Sequence, residues 1–266
     1  MGLIVNADDF GKSSDINRAV CEAFDSGCIT STTLMANMPG AHEAYELADI
    51  NGFTDKVGIH LNITEGMPLT SGIRSNPLIC APDGSFNQAF YHNTKYRLYM
   101  DEQSVEQIRD EFDAQISLFL ELGFKTMHID SHHHVHTNYP VYRALKQLSR
   151  KYGFEYIRLS RNLYKGGSLF NNTYKLIYNS SVRHLAADTS KYFGSYKDLL
   201  TYFSLDPLRE GDRAKGRISG MERLFASGDV EIMVHPMYDE NGVLKDTDIP
   251  MKEEQALLSV PVADKI

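Results

Sequence analysis

The sequence contains no tryptophan and only three cysteines among its 266 residues. Cys21, Cys28 and Cys80 are odd in number, and no two of them are spaced as a C-x-x-C pair. This pattern argues against the disulfide framework of a small secreted domain and against a zinc knuckle. We therefore expect reduced thiols and a cytoplasmic location.

Long apolar runs and an excess of positive charge are also missing. No stretch approaches the roughly 18 consecutive apolar residues of a membrane-spanning helix, and the first nine residues lack the basic start of a secretory signal peptide. Acidic residues outnumber basic ones by 35 to 27, which gives a net charge of −8. Because no overall positive field is present, we expect no binding to nucleic acid or to a membrane.

Short apolar runs alternate along the chain with segments of helical periodicity. Strands are predicted at residues 3–7, 29–35, 56–61, 126–130, 155–159, near 192–194, and at 230–234. Helices are predicted between them, including 217–225, with a terminal helix at 252–260, whereas 162–189 is predicted as helices and loop. This alternation predicts an α/β protein with a parallel sheet and right-handed crossovers. About seven such units in one domain, residues 1–266, favour a barrel, and an open doubly wound sheet is the alternative.

Half of the histidines lie in one stretch of nine residues. Residues 128–136 read His-Ile-Asp-Ser-His-His-His-Val-His and hold five of the ten histidines. Imidazole is the commonest metal ligand in proteins, and His-rich tracts commonly bind metal. Since the stretch is internal and follows an apolar segment, it predicts a functional site rather than a terminal tag.

Several predicted strands end in Asp or His, and active sites of β/α barrels lie at these carboxyl ends. The first strand runs into Asp8 and Asp9, the third ends at His60, the fourth at 128–132 and the last at His235. Taken singly, the aspartates could cap a helix, His60 could be a core histidine and His235 could simply end a strand. Their coincidence at one rim favours a site. Strand alternation places His128, Asp130 and His132 on the same inward face.

Two histidines and one aspartate make an open site for a divalent cation. A neighbouring carboxylate that is not a ligand can accept a proton from water, and a histidine on the opposite side can protonate a leaving group. This set of side chains is typical of metal-assisted hydrolysis of an amide or an ester.

Five motifs together resemble the YdjC-like carbohydrate deacetylases, a family that includes deacetylases of chitooligosaccharides. They are Asn6-Ala-Asp-Asp-Phe-Gly, Ser31-Thr-Thr, Gly58-Ile-His-Leu, the His-rich stretch and Val234-His-Pro. The resemblance runs from residue 3 to about residue 260. It implies a TIM-like, incompletely regular barrel that removes the acetyl group from N-acetylglucosamine-containing sugars such as diacetylchitobiose, releasing acetate.

The resemblance also implies residue roles. Asp9, His60 and His132 would bind the metal ion, Asp8 would be the general base, and His235 would be the general acid. Similar proteins are usually described with Mg²⁺, whereas imidazole ligands also suit Zn²⁺ and Mg²⁺ prefers oxygen ligands. Mg²⁺ and Zn²⁺ are therefore both candidates for the divalent cation.

Further polar residues are interpreted as supporting groups. His128, Asp130 and Arg158 are expected to orient the ligands or the base. The remaining histidines of the stretch are expected to contact the substrate or these supporting groups: His133, His134 and His136. The polar residues 64–88 form a long connection of the kind that often serves as a lid or a binding loop.

Two other functions are consistent with a metal site in a barrel. A metal-dependent isomerase, aldolase or phosphoesterase would need a lysine or a Gly-rich phosphate loop near the last strands, and Lys165-Gly-Gly lies far from them. A sugar-binding protein without catalysis would leave the site idle. Residues 162–204 and the last 25 or so match the family only loosely, and these segments are expected to shape the site of a small acetylated amino sugar or the contact of a homodimer.

Overall fold

The structure, a computed structural model, describes residues 3–162, 169–195, 198, 230–246 and 249–253. Within these residues eight strands form one parallel sheet. They are β1 (Leu3–Phe10), β2 (Ser31–Leu34), β3 (Val57–Leu61), β4 (His128–Ser131), β5 (Phe154–Ile157), β6 (Ala186–Asp188), β7 (Tyr192–Ser195) and β8 (Val230–Val234). A small antiparallel sheet follows, with β9 (Pro236–Tyr238), β10 (Leu244–Asp246) and β11 (Ile249–Pro250).

Helices occupy most of the connections between the strands of the parallel sheet. They are α1 (Ser14–Asp25), α2 (Ala41–Ile50), α3 (Ser71–Arg74), α4 (Ala89–His92), α5 (Glu102–Leu122), α6 (Tyr139–Tyr152) and α7 (Leu169–Val182). Short 3₁₀ segments lie at Thr54–Lys56, Thr94–Arg97 and His132–Thr137. Among the described helices, every one is too short or too polar to cross a lipid bilayer.

The strand order is that of a curled, barrel-like sheet. It runs β6-β5-β4-β3-β2-β1-β8-β7, so strands adjacent in sequence are mostly adjacent in space and β1 pairs with β8. Strands β6 and β7 are the two edges of this sheet. Asn162, in the chain after β5, joins that side of the sheet to β7: its N donates to Phe193 O (3.0 Å), and Phe193 N donates to its Oδ1 (2.7 Å). The prediction of an α/β, TIM-like, irregular barrel is therefore confirmed over the doubly wound alternative.

Local sequence explains the bounds of the long helices. Ser13 caps α1 by accepting a hydrogen bond from Ile16 N, and Asp101 caps α5 by accepting from Ser104 N. The α5 helix ends at Gly123, whose φ of 112° is one that side chains rarely adopt. Apolar residues of α5 then pack under the sheet, so the helix covers the outer face of the strands.

The structure differs from the predicted elements at β6 and at β1. Strand β6 falls in the segment predicted as helices and loop, because its Ala-Ala-Asp sequence is short and carries no alternating pattern. Strand β1 extends to Phe10 and includes both aspartates, since an irregularity between Ala7 and Phe10 lengthens its pairing with β2. The predicted helix 217–225 lies outside the described residues, as does all of 252–260 beyond the helical residues 252–253.

Gly58 allows β3 and β4 to approach each other closely next to His128. A Cβ at this position would lie 2.6 Å from the carbonyl oxygen of His128 and 2.8 Å from its Cβ. We expect Gly58→Ala to lower the free energy of unfolding by about 1–3 kcal/mol, measured in urea, because β4 must shift. Gly72→Ala is the control, since nothing lies within 4 Å of a Cβ there. Wild-type stability in Gly58→Ala would contradict this close approach.

Candidate active site

A single arginine ties together three strands inside the barrel. Arg158, directly after β5, is completely buried. Its Nη1 and Nη2 each donate to an oxygen of Asp8 at 2.7 Å. Nη2 also lies 2.7 Å from Asp130 Oδ2, and Nε donates to Glu231 Oε1 at 2.5 Å. Because all three carboxylates are buried, Arg158 is the cation that makes their burial tolerable.

The charges of this network are not fully balanced. Burial alone would raise the pKa of Asp8, but Arg158 and His60 hold it well below the usual range. Burial raises the pKa of Glu231 despite its contact with Arg158, and Tyr156 donates a hydrogen bond to the second oxygen of Glu231 at 2.8 Å. Asp8 is therefore a firmly ionised carboxylate, whereas burial disfavours the ionised form of Glu231.

A second cluster lies at the carboxyl ends of β1, β3 and β4. Asp9, His60 and His132 each bring one donor atom to a group whose members lie within 4.8 Å of one another. Asp9 Oδ1 is 3.4 Å from His60 Nε2 and 2.9 Å from His132 Nδ1. Even so, this buried oxygen has no well-directed hydrogen bond among the described residues. The three donors thus face a common point, as ligands of one cation would.

Unusual backbone conformations deliver these side chains. Asp9 has a φ of 68°, a left-handed value that Asp tolerates better than most residues. Consecutive aspartates therefore serve different clusters, with Asp8 on Arg158 and Asp9 beside the histidines. His133 and His134, with φ of 53° and 55°, are also left-handed immediately after His132. Such conformations concentrate at functional sites, where the surrounding structure holds them in place.

Asp130 fixes the orientation of His60. It accepts a hydrogen bond from His60 Nδ1 at 2.6 Å and another from Thr33 Oγ1 at 3.0 Å. Nε2 is left to face Asp9. Burial disfavours a charged ring, but Asp130 and Asp8 raise the pKa of His60 to about 10. A carboxylate behind a histidine ligand is the common outer partner in metal sites, and the interpretation of Asp130 as a supporting group agrees with this contact.

His132 has a corresponding partner that the sequence did not reveal. Its Nε2 lies 3.0 Å from Glu65 Oε2, and Lys12 Nζ lies 2.8 Å from the same oxygen. Lys12 is also 3.6 Å from Asp9 Oδ2. Glu65 belongs to the long polar stretch after β3, where neither periodicity nor spacing distinguishes one acidic residue from another.

His235 lies at the end of β8, on the rim of the barrel. Its side chain is 42% exposed, whereas that of His60 is 1% exposed. Asp246 of β10 accepts a hydrogen bond from the backbone N–H of His235 at 2.9 Å and lies 3.9 Å from its Nδ1. The small antiparallel sheet thus places a buried carboxylate behind this histidine. Asp246 was missed because its partner lies eleven residues earlier, across a turn.

The other histidines of the His-rich stretch have separate surroundings. His128 packs edge-on against Tyr156, 4.0 Å from Glu231, and burial lowers its pKa to about 4. His133 bonds Thr64 Oγ1 and stacks on Tyr91. The remaining two lie deeper, His134 against Phe193 and His136 on Ser131 Oγ. Of the five, His132 is the one that joins Asp9 and His60.

Nearly the whole chain matches a known protein family. The family model described as YdjC-like protein matches residues 2–265. The chain belongs to the YdjC-like family. A relative from Halalkalibacterium halodurans, named carbohydrate deacetylase, is 32% identical over 240 residues, which are 90% of this chain and 86% of the relative. A second, from Thermoanaerobacter pseudethanolicus and of the same name, is 29% identical over 95% of this chain and 87% of its own length.

A solved structure also resembles this member of the YdjC-like family. It is a protein from Enterococcus faecalis V583 whose name refers to cellobiose-phosphate cleavage. The two share 25% sequence identity with a TM-score of 0.64, and the match covers 99% of this chain and 92% of the other. The likeness extends over the whole barrel rather than over the site alone.

Proposed function

We propose that this protein is a metal-dependent hydrolase that removes the acetyl group from N-acetylglucosamine-containing oligosaccharides such as diacetylchitobiose. Membership of the YdjC-like family and relatives named carbohydrate deacetylase make it a carbohydrate deacetylase. The observation that carries the finer proposal is the meeting of Asp9, His60 and His132 next to the Asp8–Arg158 pair.

The donor set fits a divalent cation. Two imidazoles and one carboxylate, with a buried carboxylate oxygen that lacks a hydrogen bond, match an open three-ligand site. Family resemblance favours Mg²⁺, and the imidazole ligands favour Zn²⁺ as the alternative. When bound, such a cation polarises the acetyl carbonyl and makes water more acidic.

Asp8 is proposed as the general base. Arg158 holds both of its oxygens at 2.7 Å and so fixes its orientation. The same contact keeps its pKa below the usual range, so Asp8 accepts a proton only from an unusually acidic water. This is a physical reason for the base and the cation site to lie on adjacent residues of one strand.

His235 is proposed as the general acid. Water oxygen bonds to the acetyl carbon, the amide C–N bond breaks, and His235 gives a proton to the departing nitrogen. The products are acetate and the free amine. Asp246 behind His235 is suited to keep its ring in place for this step.

The remaining roles complete the proposal. Asp130 orients His60 and Arg158 orients Asp8, while His128 supports the interior network through its position beside Glu231. We further propose one catalytic domain over residues 1–266. The cytoplasmic location, the absence of nucleic-acid and membrane binding, and a homodimer stay predictions.

A substrate panel tests the proposal. N-acetylglucosamine, diacetylchitobiose and longer oligomers, each with and without a phosphate group, are incubated with protein and a divalent cation while acetate and phosphate are measured. The phosphorylated members are included because the similar solved structure bears a name that refers to cellobiose-phosphate. Acetate release is the expected result. Phosphate release without acetate would favour a phosphoesterase, and isomerisation without acetate would favour an isomerase. Tight binding of the sugar without turnover would favour a sugar-binding protein.

A further inference from the structure

Glu65 occupies a position behind His132 that mirrors the position of Asp130 behind His60. Glu65 Oε2 lies 3.0 Å from His132 Nε2, and Asp130 Oδ1 lies 2.6 Å from His60 Nδ1. At neutral pH a carboxylate accepts hydrogen bonds and does not donate them. Each carboxylate therefore accepts the hydrogen of the outer ring nitrogen, so that the other ring nitrogen, which faces Asp9, is the one that would bind a cation.

The side chain of Asn62 holds the backbone of Glu65 in place. Asn62, fully buried at the end of β3, donates from Nδ2 to Glu65 O at 2.7 Å. Its Oδ1 accepts from Glu65 N at 3.2 Å. The backbone of Glu65 is therefore anchored to the end of the strand that also carries His60, which places its side chain within reach of His132.

Lys12 places a positive charge between Glu65 and Asp9. Its Nζ is 2.8 Å from Glu65 Oε2 and 3.6 Å from Asp9 Oδ2. A fixed ammonium group near a ligand carboxylate competes with a divalent cation for that negative charge. Glu65 and Lys12 should thus act in opposite directions on cation binding, although they form one ion pair.

We propose that Glu65 is a positioning residue that holds His132 in its metal-binding orientation, and that Lys12 restrains the affinity of the site for the cation. This inference rests on the proposed cation site. It adds two residues that neither the motifs nor the histidine spacing identified.

The test is a titration of the full-length protein with Co²⁺ alone, followed by the visible absorbance of the bound ion. We expect Glu65→Ala to weaken Co²⁺ binding by about 10- to 100-fold, the usual effect of losing an outer partner. Glu65→Gln keeps an acceptor oxygen for His132 Nε2 and should retain most of the affinity. Lys12→Met should bind Co²⁺ several-fold more tightly than wild type. Glu121→Ala, an exposed acidic residue at the end of α5, is the control for the loss of one negative charge.

Two results would overturn the inference. One is wild-type Co²⁺ affinity in Glu65→Ala. The other is an equal loss of Co²⁺ affinity in Glu65→Ala, Glu65→Gln and Lys12→Met, which would indicate general disruption of the structure around His132. Acetate assays on the same proteins separate this inference from the proposed function. If Glu65→Ala binds Co²⁺ and releases acetate as wild type does, the inference fails alone; if Co²⁺ affinities follow the prediction but no acetylated sugar is hydrolysed, the function fails alone.

Discussion

Asparagine in place of Asp8 is expected to reduce acetate release to the background of the assay while the protein stays folded. The amide keeps one of the two acceptor oxygens that Asp8 offers to Arg158, but it does not accept a proton from water. Loss of a general base typically lowers the rate by roughly 10²- to 10⁴-fold. Arg158 still contacts Asp130 and Glu231, so the interior network retains two of its carboxylates. The measurement is kcat for acetate release from diacetylchitobiose at saturating cation.

Two controls make the Asp8→Asn result specific. Co²⁺ binding should remain close to wild type, because Asp9, His60 and His132 are unchanged. Asp49→Asn, an exposed change of the same kind on α2, should leave kcat unaltered. Full activity in Asp8→Asn would remove this residue from the proposed chemistry.

Arg158→Met is expected to cause the largest loss of stability. It would leave three buried carboxylates of β1, β4 and β8 without their shared cation. Removing one partner of a buried ion pair costs about 3–5 kcal/mol. Urea unfolding measures the change in the free energy of unfolding. Arg109→Met is the matched control, because its pair with Asp110 is largely exposed and should contribute about 1 kcal/mol or less.

A rescue experiment keeps this prediction testable if Arg158→Met folds poorly. Adding Glu231→Gln removes one of the uncompensated charges, so the double variant should recover part of the lost stability or yield. Glu231 is the choice because burial raises its pKa, which indicates that the folded protein already tolerates its charge poorly. Wild-type stability in Arg158→Met would show that the network does not depend on this arginine.

The sequence predicted the parts of the site that follow from local geometry. Alternation along β4 predicted a shared inward face for His128, Asp130 and His132, and in the structure they contact Glu231, His60 and Asp9 respectively. This property needs only an extended backbone. The meeting of strand ends followed from the parallel order of the strands. The predicted trio of Asp9, His60 and His132 is indeed brought together in the structure.

The parts that the sequence did not predict depend on contacts across the barrel. Glu231 lies in β8, whose sequence is otherwise apolar. Its partners Tyr156 and Arg158 belong to β5 and the residues after it, which face β8 across the barrel. Glu65 and Asp246 act from a loop and from the small second sheet, where sequence spacing has no fixed relation to distance. The register of the strands and the curvature of the sheet determine such partners. Neither property can be predicted from a local sequence pattern.

The most direct measurement is acetate release by protein from which divalent cations have been stripped with a chelator. The stripped protein should release no acetate from diacetylchitobiose, and one equivalent of Mg²⁺ or Zn²⁺ per chain should restore it. A variant with His60→Ala and His132→Ala should not be restored by the same addition. Acetate release by the stripped protein at the rate of the untreated protein would contradict the account.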